Sequence, residues 1–196
     1  MIVQDLVFLG FTSAAGLAQD TGSGLVDRLR SLPTPRSSLL AGRAIADLLV
    51  LLGAVGLTVA TGLVIGFRFG AGPGSVALGF VMVVVIGLTL FTVFAAIGLS
   101  VRNPETVQSL TPPFFLFLFV SSGFIPVATL PGWLQDFARN QPVSIFTDAV
   151  RALLDGPAAA RVLDRSAGYY SVLCLAWCVG IAAVSTVVAL RAYRKE

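Results

Sequence analysis

The sequence contains no histidine, and it has little charge of either sign for its length. Only 12% of its 196 residues are charged, whereas 56% are hydrophobic, and the mean hydropathy is +0.91. Soluble domains carry about a quarter charged residues, so the composition argues against a soluble globular protein. The net charge of +3 is small and comes without a basic run, which argues against a nucleic-acid partner.

The missing residue types also exclude several chemistries. Without histidine there is no histidine-based catalytic triad and no histidine-ligated zinc site. Lys195 is the only lysine, so a phosphate-binding GxxxxGK[ST] loop is absent. Cys174 and Cys178 lie one helical turn apart in an apolar run without partner ligands, which indicates packing residues. We therefore expect no catalytic residue, cofactor or metal in this chain.

What the sequence does contain is a series of long apolar runs. A membrane-spanning helix needs about 20 mostly apolar residues. Five stretches reach or approach this length: 2–18, 44–65, 76–101, 107–125 and 169–190. Pro112 and Pro113 predict that the fourth is kinked or broken. The first lacks the positively charged start of a signal peptide, so we interpret it as a span. The sequence predicts an all-α polytopic membrane helix bundle with about five spans.

Basic residues predict how the spans are oriented, because cytoplasmic loops are enriched in lysine and arginine. With the loop after the first span in the cytoplasm, the basic residues there are Arg28, Arg30, Arg36, Arg43, Arg102, Arg191, Arg194 and Lys195. Five remain outside: Arg68, Arg139, Arg151, Arg161 and Arg165. The C-terminus is then cytoplasmic and the first span runs inward. We accordingly expect that an N-terminal segment and an earlier span are missing from this chain.

The cytoplasmic segment 19–36 carries a pattern typical of a short amphipathic helix over about 24–32. Leu25, Leu29 and Leu32 form one apolar stripe, and Asp27, Arg28, Arg30 and Ser31 form the other face. Pro33 and Pro35 end the helix. Two interpretations remain open: the helix rests on lipid headgroups, or it docks a cytoplasmic partner.

The segment after Ser122 predicts two more helices on the opposite side, at about 131–140 and 143–154. Trp133, Leu134 and Phe137 share a face of the first, and Phe146, Ala149, Val150 and Leu153 share a face of the second. Neither helix is long enough to cross a bilayer, so we expect interfacial or re-entrant elements with Trp133 as an interface anchor. The alternative is a solvated loop that only connects two spans.

A few charged and small residues in or near the spans have predictable roles. Asp148 and Arg151 can pair at i, i+3, and Arg43 and Asp47 can form an interfacial ion pair at i, i+4. Asp5 and Asp47 lie near opposite ends of their spans, which excludes a shared-proton catalytic dyad. The close spacings Gly53–Gly56 and Gly62–Gly66 predict helix packing, within the chain or with a second copy.

Three segments together resemble the permease subunits of type-2 ABC exporters, closest to the daunorubicin-resistance permease branch. They are residues 20–36, the stretch SSGFIPVATLPGWLQ from Ser121 to Gln135, and the NQPV and DAVRALL elements between Asn140 and Leu154. Gln141 separates Asn140 from Pro142, where family members often have asparagine directly before proline. The resemblance implies six spans, so the five runs here would be spans two to six.

The resemblance also implies partners, cargo and site residues. A second permease subunit and an ABC ATPase, which itself binds ATP and Mg²⁺, would assemble with this chain in a bacterial cytoplasmic membrane. The ATPase would dock on Leu25, Asp27, Arg28, Leu29, Arg30 and Leu32. An outer gate for hydrophobic small-molecule or lipid cargo would comprise Phe124, Pro126, Pro131, Trp133, Pro142, Asp148 and Arg151. The alternatives are an ion-coupled secondary transporter and a non-transporting assembly subunit.

Overall fold

The computed structural model describes residues 1–23, 36–101, 103–125 and 129–194, apart from the side chains of 36–41, 43, 44, 117 and 190–194. The described residues form α-helices and one 3₁₀ helix. The α-helices are α1 (Ile2–Gly22), α2 (Arg36–Ile65), α3 (Pro73–Val101), α4 (Pro104–Ser109), α5 (Thr111–Phe119), α6 (Gly132–Asn140), α7 (Pro142–Asp155) and α8 (Ala167–Arg194). The 3₁₀ helix covers Gly156–Arg161.

Four of these helices are long and apolar enough to cross a membrane: Ile2–Gly22, Ile45–Ile65, Pro73–Val101 and Ala167–Ala189. The stretch 107–125, predicted as a kinked or broken span, is broken into α4 and α5. The two prolines stand in the first turn of α5, where their missing N–H groups cost no helical hydrogen bond. Neither piece is long enough to span a bilayer alone. Four single helices of the described residues therefore have the length of a span, and a fifth crossing made of the two pieces stays a prediction.

Helix α3 lies at the centre of the bundle and packs against α1, α7 and α8. Its contact with α1 rests on glycines: Gly10 faces the Phe94 ring, and Gly98 faces Ala14. Because later residues of α1 meet later residues of α3, the two helices run parallel. A Cβ atom on Gly10 would clash with carbon atoms of the Phe94 ring, so this close approach requires glycine.

Helix α2 runs antiparallel to α1, and one hydroxyl–carboxylate hydrogen bond joins the pair toward each end. Thr58 Oγ1 donates to Asp5 Oδ2 at 2.8 Å, and Ser13 Oγ donates to Asp47 Oδ2 at 2.8 Å. The two aspartates thus bond at different levels of the bundle, which agrees with the exclusion of a dyad. The Arg43 side chain lies outside the description, so its ion pair with Asp47 stays a prediction.

The first turns of α1 and α3 and the last turns of α2 lie at one end of the bundle, here called the α7 end. Helix α7 lies there against α3 and α8, and every residue from Val143 to Val150 is buried. Helix α7 is therefore a core element, and the predicted polar face around Asp148 is buried as well. On helix α6, Trp133 is 79% and Phe137 49% exposed, and the interfacial placement of this helix stays a prediction.

Burial differs strongly among the four long helices. In the most apolar window of each helix, 44% of the residues of α1 and α3 are buried, against 11% for α2 and 17% for α8. Gly53 and Gly56 of α2 have no atom of the described residues within 4 Å of a Cβ position. The small residues predicted to pack thus leave α2 open on this side, and the packing glycines are those of α1 and α3.

We expect Gly156→Ala to lower the free energy of unfolding by about 1–3 kcal/mol. Gly156 has φ +55°, and its Cβ would lie 2.8 Å from Ala71 Cα. Ala71 belongs to the turn before α3, and Gly70 N and Ala71 N of this turn donate hydrogen bonds to Leu154 O at 3.2 and 3.3 Å. Thermal unfolding in detergent would measure the change. Gly132→Ala, which has open space around the new Cβ, is the matched control and should not be destabilised.

Candidate functional site

The chain between α5 and α7 folds back onto α7 at the α7 end. After α5, the amides of Phe124 and Ile125 donate to Ser121 O at 3.2 and 3.4 Å, which makes a tight turn. Ser122 N then donates to Ser144 Oγ on α7 at 3.0 Å. The end of the stretch 107–125, which the sequence predicted as part of a span, is therefore fixed to a core helix 22 residues later in the chain.

Ser122, Ser144, Asp148 and Arg151 form what we call the polar cluster. Ser122 Oγ donates to Asp148 Oδ1 at 2.9 Å, and Arg151 Nη1 lies 3.5 Å from the same oxygen. The predicted i, i+3 pair is thereby confirmed as a contact. Burial raises the pKa of Asp148 above its ordinary value, while the Ser122 hydrogen bond and the Arg151 charge lower it. Burial is the largest of these effects, so the pKa of Asp148 is raised overall.

Buried polar groups that the sequence analysis missed adjoin this cluster. Gln4, Ser121 and Gln141 are 3%, 0% and 4% exposed. Gln4 Nε2 and Oε1, Ser121 Oγ and Gln141 Oε1 have no hydrogen-bond partner among the described residues. Gly123 approaches Gln4 so closely that a Cβ would meet its amide nitrogen. An amide at the start of an apolar span was the available signal for Gln4.

Such groups weaken the contact in which they are buried. A buried donor or acceptor without a partner costs about 1–3 kcal/mol, so separating α1, the 121–124 turn and α7 would restore hydrogen bonding to these atoms. Gln141 Nε2 does donate to Ser144 Oγ at 3.2 Å, which ties that residue to the polar cluster. The α7 end thus combines hydrogen bonds from Ser122 to α7 with buried polar atoms that have no partner among the described residues.

Aromatic rings connect this region to the long helices. Phe124 stacks on Phe119 with ring centroids 4.7 Å apart. Phe119 contacts Phe115 at 5.5 Å, and Phe115 contacts Phe8 of α1 at 4.7 Å. Direct ring contacts therefore form a continuous path from Phe8 of α1 to Phe124.

The structure brings together only part of the predicted gate. Asp148 and Arg151 join the polar cluster, and Phe124 sits on the turn that binds it. Pro131 directly precedes α6, and Pro142 is the first residue of α7. The Trp133 side chain is 79% exposed and is not part of the polar cluster. Pro126 lies outside the described residues, and so do the predicted docking residues Leu25, Asp27, Arg28, Leu29, Arg30 and Leu32.

Within the described residues there is no group of three or more histidine, cysteine, aspartate or glutamate side chains that could hold a metal ion. Cys174 and Cys178 are free and buried in α8. The polar groups of the α7 end hold helices together and face no arrangement of nucleophile and base.

Comparison with known proteins identifies the family. The model of the membrane family described as "ABC-2 type transporter" matches residues 2–154. The chain belongs to the ABC-2 type transporter family. It is therefore a multi-pass membrane protein, in agreement with its four long apolar helices. The matched range ends at the last residues of α7, so the polar cluster is part of the family domain.

Curated relatives of this ABC-2 chain are drug-resistance permeases. It is 32% identical over 197 residues to the daunorubicin resistance ABC transporter permease protein DrrB1 of Streptomyces coeruleorubidus, covering 99% of this chain and 66% of the relative. It is 28% identical over 183 residues to the probable doxorubicin resistance ABC transporter permease protein DrrC of Mycobacterium tuberculosis, covering 93% and 63%. The chain thus spans slightly less than two thirds of these relatives' length. No solved structure matches it.

Proposed function

We propose that this chain is the membrane-spanning subunit of an ABC exporter for hydrophobic or amphipathic molecules, such as drugs, antibiotics or lipids. The family match over residues 2–154 carries the proposal, and the resistance named for the relatives supports export. The chain itself would not be catalytic. A separate ATPase subunit would bind ATP and Mg²⁺ and supply the driving force.

The ATPase would dock on the cytoplasmic segment around Leu25, Leu29 and Leu32. A second permease subunit would complete the transport path, and the exposed faces of α2 and α8 leave room for it. The distribution of basic residues supports a cytoplasmic C-terminus and places the α7 end outside. In a bacterium the complex would lie in the cytoplasmic membrane.

The α7 end would act as the outer gate. Hydrogen bonds from Ser122 to α7 would hold it closed, and the unpartnered groups of Gln4, Ser121 and Gln141 would lower the cost of opening. ATP-driven motion of the spans would reach the gate through the ring contacts of Phe8, Phe115, Phe119 and Phe124.

The test is co-purification of the tagged permease with the ATPase encoded beside it, from membranes in mild detergent. We expect the wild type to retain the ATPase and Leu29→Asp to lose it, because a carboxylate in the apolar stripe opposes docking. Val162→Asp is the control, since this apolar side chain is 66% exposed and would lie on the opposite side of the membrane in the proposed orientation.

Two results would contradict parts of this proposal. Retention of the ATPase by Leu29→Asp would remove the docking assignment but leave the exporter standing. Absence of any ATPase association with the wild type, under all nucleotide conditions, would favour an assembly subunit or an ion-driven carrier. Transport that survives ATP depletion but stops with an uncoupler would decide for the carrier.

A further inference from the structure

A cavity of about 650 Å³ lies at the α7 end, between the start of α1, the last turns of α2 and helix α7. Its walls are mainly apolar and include Leu57, Ile65, Phe67, Phe69, Val150 and Leu154. Pockets of about 300–1,000 Å³ with apolar walls and few polar groups are typical small-molecule sites. The cavity adjoins the polar cluster, because Arg151 of that cluster also lines the cavity.

The polar groups of the cavity are few, and most hydroxyl donors are already used. Thr61 Oγ1 donates to Leu57 O at 2.8 Å, and Thr147 Oγ1 donates to Val143 O at 2.9 Å. Thr58 Oγ1 donates to Asp5 Oδ2 at 2.8 Å. Asp5 therefore has a fixed orientation, and a carboxylate can accept further hydrogen bonds beyond this one.

The charges that border the cavity favour a cationic ligand. Asp5 and Asp155 line the cavity with two carboxylates. Arg151 is the cation of the lining, and its charge is shared between Asp148, at 3.5 Å, and Asp155, which leaves Asp5 for the ligand. A ligand ammonium near Asp5 would gain a charge-assisted hydrogen bond in surroundings of low polarity.

We infer that this cavity binds an amphipathic cation, with the apolar body between α2 and α7 and the cationic group at Asp5. The inference rests on the proposed function and deepens it by locating one cargo site of the exporter. The site lies beside the polar cluster, so a bound cation would be positioned next to the proposed gate. Cargo would thus wait at Asp5 before the α7 end opens.

Binding is tested on the permease–ATPase complex in lipid nanodiscs, with empty nanodiscs subtracted. The probes are a fluorescent amphipathic cation, a neutral amphiphile of similar size and an anionic one. We expect Asp5→Asn to weaken cation binding at least about tenfold and to leave neutral binding unchanged. Asp47→Asn is the matched control, because this aspartate makes the same kind of hydrogen bond away from the cavity.

A second variant tests the cavity without touching a hydrogen bond. Gly62 lines the cavity, and a Cβ there would meet only Phe67 Cβ at 3.7 Å among the described residues. Gly62→Leu should therefore fill the space without clashing with the backbone, and it should weaken binding of the cation and of the neutral probe alike. This variant keeps the test decisive if Asp5→Asn disturbs the contact between α1 and α2.

The outcomes separate this inference from the proposed function. Cation binding that is unchanged in both Asp5→Asn and Gly62→Leu would overturn the cavity assignment, even if the ATPase co-purifies and export continues. Tighter binding of the anionic probe than of the cation would overturn the charge assignment. If cation binding depends on Asp5 but the permease does not associate with the ATPase, the exporter proposal is contradicted and the cation site is still supported.

Discussion

Gly87→Leu is expected to abolish accumulation of correctly folded permease. Gly87 is buried where three helices meet, and a Cβ at this position would collide with Leu51 of α2 and lie 3.6 Å from Leu6 of α1. Leu51 and Leu6 are themselves 0% and 1% exposed, so neither can move aside into open space. Overpacking of a closed core costs about 1–3 kcal/mol or more, and here an entire isobutyl group is added.

The measurement is the yield of monodisperse protein by size-exclusion chromatography after extraction in mild detergent. Gly53→Leu is the matched control on α2, because a Cβ there has no described atom within 4 Å. It should give the wild-type yield unless that face packs against a second permease subunit. A normal yield and melting temperature for Gly87→Leu would contradict the helix arrangement around α3.

Asp148→Ala is expected to lower ATP-driven export at least about tenfold while ATPase co-purification stays unchanged. The substitution removes the 2.9 Å acceptor of Ser122 Oγ, which then keeps only the weaker bond to Ser144 O at 3.4 Å, and it removes the carboxylate 3.5 Å from Arg151. Loss of a buried acceptor costs about 1–3 kcal/mol, and each 1.4 kcal/mol corresponds to a tenfold change in the equilibrium between closed and open gate. Export is measured as cargo efflux from proteoliposomes that contain the complex.

The control for this variant is Asp164→Ala. Asp164 pairs with Arg139 at 3.2 Å, but the two side chains are 71% and 51% exposed, and such surface pairs contribute about 0–1 kcal/mol. Export should therefore stay near the wild-type rate. The double variant Ser122→Ala with Asp148→Ala should resemble Asp148→Ala alone, because the two side chains act through one hydrogen bond. Full export by Asp148→Ala would remove the gate assignment.

Local spacing explains which parts of this structure the sequence could predict. The break before α5 follows from Pro112 and Pro113, because proline lacks the amide that a continuous helix needs. The contact between Asp148 and Arg151 follows from their i, i+3 separation on one helix. The four long helices follow from apolar length alone. Each of these depends on residues that are close in the chain.

The tertiary structure decided which glycines allow close contacts between helices and which polar residues form hydrogen bonds between them. The sequence favoured Gly53 and Gly56 as packing residues, yet the close approaches are at Gly10, Gly87 and Gly98. Glycine spacing does not reveal which helix face meets a neighbour, because that depends on the packing of other helices. In the same way, the amphipathic pattern of α7 did not indicate that every residue from Val143 to Val150 is buried.

The sequence by itself determined that this protein is an all-α membrane bundle with a broken helix before α6 and α7. The tertiary structure decided the hydrogen bond from Ser122 to Asp148, the Thr58–Asp5 contact and the cavity beside them. These groups are 26 and 53 residues apart in the chain, so no helical repeat relates them. Helical geometry sets short-range contacts, whereas distant ones arise only when the helices pack.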